Sequence, residues 1–199
     1  MKSVIVIQGP TLPDKVSLLK EAWHPFPIIF STWEGSDVGC YSDTDIVLYN
    51  SIPIDRGVGN LNLQRTSSLN GFLLAKHMGF ERVVKWRYDF LPNNSTGLMG
   101  LFKGDCINFY AYYRHIAGYV VDYFMEGDID DMINLYTFSD FNVEYAEAAF
   151  TNRLFELGLD KKANFICKQL QKDILDIYWG KHEYWMSTTS VIETFDNKI

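Results

Sequence analysis

Short apolar runs that end abruptly in small or polar residues recur along the first half of the chain, and they constrain its fold most. They lie within residues 3–10, 27–33 and 82–89, and the last run ends on Asp89. Runs of this length that are rich in β-branched residues are typical of buried strands. Parallel strands end at one edge of a sheet, and ligands bind in the crevice beyond that edge. We therefore expect the polar ends of these runs to converge on one crevice.

Helical patterns separate the apolar runs. Val16, Leu19 and Trp23 recur at helical spacing in residues 15–23, and residues 60–78 have a helical pattern as well. A further strand is expected over residues 45–49. This alternation predicts an α/β fold with a mostly parallel sheet flanked by helices.

The second half of the chain has a different pattern. Residues 105–113 are strand-like, residues 119–124 less clearly so, and residues 129–136 have the pattern of a helix that follows an acidic turn. From residue 141 onward the pattern is helical, with interruptions at two glycines. The sequence therefore predicts a helical C-terminal part.

Length and charge exclude several classes of protein. With 199 residues, 47% of them hydrophobic, and no long linker, we expect a single domain over residues 1–199. A formal net charge of -7 without a basic stripe argues against a nucleic-acid partner. No apolar stretch reaches the length of a transmembrane segment or a signal-peptide core, so we expect a cytoplasmic protein. The cysteines lack metal-ligand spacing and are expected to be reduced packing thiols.

A family resemblance is carried by five strings in order, which are residues 6–10, 31–33 and 60–64, Gly71, and residues 85–89. They resemble the WavE-like lipopolysaccharide-synthesis family, and residues 122–131 resemble its later acidic segment. That family is similar to small glycosyltransferases of the GT-A, nucleotide-diphospho-sugar transferase type. The resemblance implies transfer of a sugar from a nucleotide-diphosphate donor to a glycan or lipid-linked acceptor in polysaccharide biosynthesis. It also implies a nucleotide-sugar-binding half over residues 1–92, and an acceptor half with C-terminal helices over residues 93–199.

The end of the first strand supplies three donor-binding candidates, Gln8, Gly9 and Pro10. A glycine at this place would let a planar base or a ribose approach the backbone, and the proline ends the ladder. The pattern alone favours an ordinary turn from strand to loop. The resemblance shifts the interpretation toward a donor site.

The end of the second strand supplies Thr32, Trp33 and Asp37. The resemblance implies that the nucleoside binds here, where Asp37 would accept a hydrogen bond from a base or a ribose hydroxyl. Glu34 is the nearest substitute for the same role. The alternative is a helix cap or a solvated loop.

The predicted helix over residues 60–78 carries Asn60 and Gln64 on one face, together with two small residues. We expect this face to meet the pyrophosphate or the sugar of the donor. Arg65 or Arg56 would offset the phosphate charge as a guanidinium fork. A solvated helix surface whose asparagines cap the helix start is the alternative.

Asp89 is the candidate metal ligand. A divalent cation, manganese or magnesium, that bridges a carboxylate and two phosphates would neutralise the leaving group. The resemblance implies two carboxylates here, as D-x-D, but Arg87 replaces the first of them. Arg87 would either pair with the donor phosphates or hold Asp89 in a salt bridge, and the salt bridge is also the purely structural interpretation.

The acidic segment offers Asp128, Asp131 and Glu126 as candidate catalytic bases, and Asp128 is preferred because it follows a glycine at a turn. Capping of the helix over residues 129–136 is an equally good explanation. A protein from another class would also fit the sequence, namely a catalytically degenerate sugar-nucleotide-binding or scaffold domain in polysaccharide assembly. Release of free nucleoside diphosphate distinguishes an enzyme from such a binding module.

Overall fold

The computed structural model describes residues 2–92, 94–109, 112–113, 119–120, 124–138 and 146–165. The strands are β1 (Ser3–Gln8), β2 (Ile28–Trp33), β3 (Ile46–Asn50), β4 (Arg82–Arg87), β5 (Ile107–Phe109), β6 (Tyr112–Tyr113), β7 (Tyr119–Val120), β8 (Met125–Asp128) and β9 (Ala163–Phe165). The helices are α1 (Pro13–Trp23), α2 (Leu61–His77), α3 (Ser95–Gly100), α4 (Ile129–Tyr136) and α5 (Ala146–Glu156), with 3-10 turns at Val58–Asn60 and Leu159–Lys162. None of the helices within these ranges is long and apolar enough to cross a membrane.

Seven strands form one sheet in the order β3-β2-β1-β4-β8-β5-β9, and β6 and β7 form a separate antiparallel pair. Strands β3, β2, β1 and β4 are parallel, whereas β8 runs antiparallel to both β4 and β5. β9 is parallel to β5, so β8 is the one reversed strand of this sheet as described. The prediction of a mostly parallel sheet flanked by helices is confirmed. The sheet joins strands from both halves of the sequence.

The register brings the carboxyl ends of the parallel strands to one edge of the sheet. Gln8 at the end of β1 is paired with Ser31 in β2 and with Arg87 at the end of β4. Trp33 at the end of β2 is paired with Asn50 at the end of β3. The polar strand ends therefore converge at one edge, as the sequence pattern predicts.

Both faces of the sheet are covered because β1 is apolar on each side. Val4 and Val6 face the core that includes α2, whereas Ile5 and Ile7 face the core that includes α1. Close packing of α2 depends on Gly71, where an added Cβ would meet Val6 well inside van der Waals contact. The missing side chain lets α2 lie directly on β1, and this fixes the distance between the helix and the strand ends.

The second half differs from the sequence prediction at three elements. The acidic segment expected as a turn contains β8, and residues 163–165, expected to be helical, form the edge strand β9. The short helix α3 has no counterpart in the prediction. Strands of three or four residues are too short to show an alternating pattern, so pairing with neighbouring strands decides them. The predicted helices beyond residue 165 lie outside the described residues.

Candidate functional site

A cleft of about 550 Å³ lies beyond the carboxyl ends of β1, β2 and β4, beside the start of α2. Its wall consists of residues from these strand ends, from the loop after β3 and from the first turn of α2. The lining residues are Gln8, Gly9, Pro10, Leu12, Trp33, Ile52, Arg56, Asn60, Leu63, Gln64, Arg87, Tyr88 and Asp89. The cleft has the size and the polar and apolar mixture of a small-molecule site.

The end of β1 is held against α2 and β2 by a buried chain of polar groups. Ser67 Oγ donates to Gln8 Oε1 at 2.9 Å, and Ser31 Oγ donates to the Ser67 carbonyl at 2.7 Å. Asn50 Nδ2 donates to Ser31 Oγ at 2.9 Å, and Asn70 Nδ2 donates to Asn50 Oδ1 at 2.9 Å. These hydrogen bonds connect β1, β2 and β3 to α2, so the position of Gln8 in the cleft wall depends on all of them.

Gly9 lines the cleft with backbone and carries no side chain. Its φ is +120°, and an added Cβ would meet nothing within 4 Å. Its amide donates to the Ser31 carbonyl at 3.2 Å, which continues the pairing of β1 with β2. A residue with a side chain would be strained at this φ, so glycine is the residue that this turn from strand to loop requires.

Thr32 lies beneath the cleft and does not line it. It is buried, and its Oγ1 shares hydrogen bonds with Thr11 Oγ1 at 2.8 Å and Ser36 Oγ at 3.1 Å. Thr11 Oγ1 is in turn 2.9 Å from the Tyr41 hydroxyl, which is hydrogen-bonded to Tyr88. Burial, followed by this hydrogen bond, raises the pKa of Tyr88 far above its usual range. The chain of hydroxyls is therefore neutral and holds Tyr88 in the cleft wall.

The predicted nucleoside contact at Asp37 is not reproduced by the structure. Asp37 is exposed, and its Oδ1 accepts from the Gly39 amide at 2.9 Å, as in a tight turn. Glu34 is also exposed, and its Oε2 accepts from Ser51 Oγ at 3.0 Å. Neither side chain lines the cleft, because β2 ends at Trp33 and the chain turns away after it.

The first turn of α2 contributes Asn60 and Gln64 to the cleft, as predicted from their shared face. Asn60 has a left-handed φ of 61°, which ends the 3-10 turn and starts the helix. The side-chain oxygen of Gln64 is buried and has no hydrogen-bond partner within the part of the chain that the structure describes. A buried, unpaired acceptor is unfavourable, so this atom is ready to accept a hydrogen bond from a ligand.

Arg65 points away from the cleft, which corrects its predicted role beside a phosphate. Its guanidinium donates to the Phe138 carbonyl and lies 5.3 Å from the centre of the Phe138 ring. One residue further along a helix turns the side chain by about 100° from Gln64, toward the neighbouring helix. Arg56, the alternative cation in the sequence, lines the cleft instead.

Arg87 and Asp89 form a bidentate ion pair at the end of β4. Arg87 Nε donates to Asp89 Oδ1 at 2.8 Å, and Arg87 Nη2 donates to Asp89 Oδ2 at 2.6 Å. The side chains are 27% and 42% exposed, so the pair borders the open cleft. The Arg87 guanidinium also lies 4.9 Å from the centre of the Phe90 ring. Two planar contacts therefore orient this cation.

The residues of the cleft do not fit a divalent cation well. Both oxygens of Asp89 are taken by Arg87, and a metal ion beside the guanidinium would be repelled by its charge. No group of three or more His, Cys, Asp or Glu side chains that could hold a metal ion occurs among the described residues. The metal site expected at Asp89 stays an untested prediction.

Asp128, the preferred candidate base, lies at the end of the sheet away from the cleft, and this position does not support its predicted role. Asp128 is paired in register with Arg82, at the start of β4, whereas the cleft borders Arg87 at its end. Five residues of strand separate the two positions by about 16 Å. Asp128 Oδ1 accepts from the Asp130 amide at 2.9 Å and the Asp131 amide at 3.4 Å, so it caps α4.

Glu126 and Asp131 also have structural partners away from the cleft. Glu126 is 2% exposed, and its Oε1 accepts from Arg82 Nε at 2.6 Å. Its other oxygen accepts from Arg82 Nη2 at 2.8 Å and from Asn108 Nδ2 at 2.5 Å. Asp131 is 3.5 Å from Lys162 Nζ. Glu126 therefore stabilises the sheet, Asp131 lies in α4, and neither side chain lines the cleft.

Two solved structures resemble the chain in fold. One is a protein from Desulfovibrio desulfuricans G20 assigned as a nucleotide-diphospho-sugar transferase, with a TM-score of 0.55, 8% identity, and 98% of this chain and 95% of that chain covered. The chain has a glycosyltransferase fold. The other is a glycosyltransferase involved in the glycosylation of the major capsid of PBCV-1, with a TM-score of 0.52, 10% identity and 84% of each chain covered. No family model and no curated protein sequence matches the chain.

The resemblance is thus established for the glycosyltransferase fold, and the narrower WavE-like assignment stays a prediction. Within this fold, most donor-binding candidates meet in the cleft, and they are Gln8, Gly9, Pro10, Trp33, Asn60, Gln64, Arg87 and Asp89. Thr32, Asp37 and Arg65 do not reach it.

Sequence reasoning missed four lining residues, which are Leu12, Ile52, Leu63 and Tyr88. Leu63 was detectable, because it lies three residues after Asn60 on the same helical face. Tyr88 was detectable because it lies between Arg87 and Asp89 in the string over residues 85–89. Ile52 had no comparable signal, since its place depends on how the loop after β3 crosses the strand ends.

Proposed function

We propose that the chain is a glycosyltransferase that moves a sugar from a nucleotide-diphosphate donor to a glycan or lipid-linked acceptor. One observation carries the proposal: a cleft lined by two arginines lies at the strand ends of a glycosyltransferase fold. The chain as a whole has a formal net charge of -7. Asp89 offsets one of the two arginines, so this wall keeps a net positive charge in an acidic protein, and that charge favours an anionic ligand.

The cleft divides into parts that suit the parts of such a donor. Gly9, which adds no side chain, and the ring of Trp33 line the part of the cleft that suits the flat base and the ribose. Arg56 and Arg87 suit the diphosphate. Asn60 and Gln64, at the start of α2, suit sugar hydroxyls, which can donate to the unpaired oxygen of Gln64.

The transfer reaction requires stabilisation of a leaving group. The bond between the anomeric carbon and the phosphate oxygen breaks, and a bond from that carbon to the acceptor oxygen forms. The acceptor proton passes to a base, and the nucleoside diphosphate leaves with the bonding electrons. Negative charge therefore grows on the diphosphate, and fixed guanidinium groups stabilise it most where water is excluded.

A catalytically degenerate nucleotide-sugar-binding or scaffold domain in polysaccharide assembly is the second candidate. It is favoured by one observation: Asp89 is the carboxylate that lines the cleft in the described part of the chain, and Arg87 holds both of its oxygens. Because this carboxylate is already the ion-pair partner of Arg87, the described cleft offers no separate candidate for the base. The binding function would remain without such a base.

A panel of nucleotide sugars and nucleoside diphosphates tests the proposal by thermal shift. We expect one nucleotide class to raise the unfolding temperature, because a ligand that binds the folded chain stabilises it. Arg56→Ala should abolish most of the shift, since it removes a cleft cation. Lys161→Ala is the matched control, because Lys161 is an exposed cation outside the cleft.

Hydrolysis of the bound donor separates the two candidates. An enzyme slowly releases nucleoside diphosphate when water replaces the acceptor, and release accelerates with an acceptor glycan. A binding domain leaves the donor intact. If no nucleotide of the panel shifts the unfolding temperature, both candidates are wrong.

A further inference from the structure

The charged residues of the cleft wall are two arginines and one aspartate. The cleft wall contains the cations Arg56 and Arg87 and the anion Asp89. The Asp89 carboxylate accepts from Arg87 Nε at 2.8 Å and from Arg87 Nη2 at 2.6 Å, so their charges offset each other. The net positive charge of the three residues therefore equals that of Arg56. Charge neutralisation for a ligand therefore comes from guanidinium groups in this wall.

The geometry of Arg87 suits a phosphate better than the geometry of Asp89 suits a metal ion. A guanidinium presents its N–H donors in a planar fork that matches the oxygens of a phosphate as well as those of a carboxylate. The ring of Phe90 and the carboxylate fix the plane of the group. A divalent cation at Asp89 would have to displace this guanidinium or lie beside a like charge.

We propose that Arg87 and Arg56 take the place of a divalent cation, and that the chain binds the diphosphate of its donor without metal. The inference rests on the proposed function, because it specifies how the same cleft neutralises the donor. Arg87 and Arg56 contact the phosphates. Asp89 is a positioning residue that orients the Arg87 guanidinium toward them.

Titration calorimetry with and without metal tests the proposal on the unmodified chain. The probes are inorganic pyrophosphate and the nucleoside diphosphate that gives the largest thermal shift, each in EDTA and in manganese chloride. We expect the dissociation constants in the two buffers to agree within about twofold, because guanidinium contacts need no metal. Binding that requires manganese would overturn the proposal and leave the proposed function standing. Absence of binding in both buffers would overturn both.

Variants of Arg87 sharpen the test. Arg87→Ala should weaken binding in EDTA by roughly tenfold or more, the loss expected for a charge-assisted contact. Arg87→Asp places a second carboxylate two residues before Asp89, so binding should be lost in EDTA and partly restored by manganese. Arg87→Asp binding that equals the parent's in EDTA would show that the guanidinium does not contact the phosphates.

The role of Asp89 requires a readout that a purely structural role would not change. Asp89→Asn keeps a hydrogen bond to Arg87 but removes the charge, so nucleotide binding in EDTA should weaken only about two- to fivefold. Asp89→Ala should weaken it more, and the conservative variant would then count as a rescue. Lys161→Ala again serves as the control cation. Should an Arg87 variant fail to fold, Arg56→Ala and the two-buffer comparison on the parent still decide the proposal.

Discussion

At the scale of single residues, hydrogen bonds to buried partners restrict the conformations of side chains in the cleft wall. Gln8 is bound by Ser67, and Tyr88 is bound through Tyr41 to Thr11. Such second contacts keep a binding surface in one arrangement before a ligand arrives, and this lowers the entropy lost on binding. Tyr88 is the residue where the effect can be measured through pH.

The free energy of unfolding should fall above about pH 10 in a way that depends on Tyr88. Burial raises the pKa of this tyrosine, so the unfolded chain ionises first. The stabilisation is therefore complete below the ordinary tyrosine pKa and is lost as the pH rises beyond it. Tyr88→Phe should remove up to about 1.4 kcal/mol per pH unit of this decline. Urea unfolding at several pH values measures it.

Tyr49→Phe is the control for this measurement, because Tyr49 is 39% exposed. It should leave the decline of the parent unchanged. At neutral pH, Tyr88→Phe should be about 1 kcal/mol less stable than the parent, since the hydrogen bond to Tyr41 is lost. An unchanged decline above pH 10 in Tyr88→Phe would contradict the assigned cause.

At the scale of elements, the acidic segment shows how one pattern is consistent with two roles. Asp128 ends β8 and begins α4, and its side chain accepts from amides in the first turn of that helix. Asp130 and Asp131 lie in the same turn, where their negative charges interact favourably with the positive end of the helix dipole. The clustering of carboxylates is thus explained by a helix start, at the sheet edge away from the cleft.

Replacing Asp128 should affect stability and leave the cleft intact. Asp128→Ala should lower the free energy of unfolding by about 1 kcal/mol, because two amides of α4 lose their acceptor. Asp128→Asn retains a side-chain acceptor and should stay close to the parent. Urea unfolding gives the stability, and nucleotide binding by calorimetry gives the state of the cleft. A large loss of nucleotide binding or turnover in Asp128→Asn, without a loss of stability, would return the residue to the mechanism.

At the scale of the whole molecule, a buried polar network connects the four strands β4, β8, β5 and β9. Glu126 in β8 binds Arg82 in β4 and Asn108 in β5, and Asn164 in β9 donates to Asn108 Oδ1 at 2.6 Å. Arg82 also donates to the carbonyls of Gly104 and Cys106. This network fixes the reversed strand between its parallel neighbours.

Removal of one side chain of this buried network should be among the most destabilising single substitutions in the chain. Glu126→Ala should lower the free energy of unfolding by about 3–5 kcal/mol, because a buried guanidinium would lose its counter-ion. The double variant Arg82→Met with Glu126→Leu should recover part of the loss, since no buried charge is left unpaired. Denaturant unfolding of the single and double variants measures both. Equal losses in the two would show that packing, not charge, decides the stability of β8.

Much of the first half of the fold follows from local sequence. The β-branched runs, the helical spacing of α1 and α2 and the polar strand ends are periodic signals that need no knowledge of distant residues, and they place Gln8, Gly9, Asn60 and Arg87 correctly. The converging strand ends follow from parallel pairing, which the alternation of strands and helices predicts.

Tertiary structure alone decided the remainder. β8 and β9 are too short to carry a period, and the burial of Glu126 in β8 depends on Arg82 and Asn108, which bind its carboxylate. The direction of Arg65 toward Phe138 likewise depends on which groups the fold brings within hydrogen-bond distance. Sequence patterns encode which face of an element is buried, whereas the partner of a charged side chain is set by three-dimensional proximity.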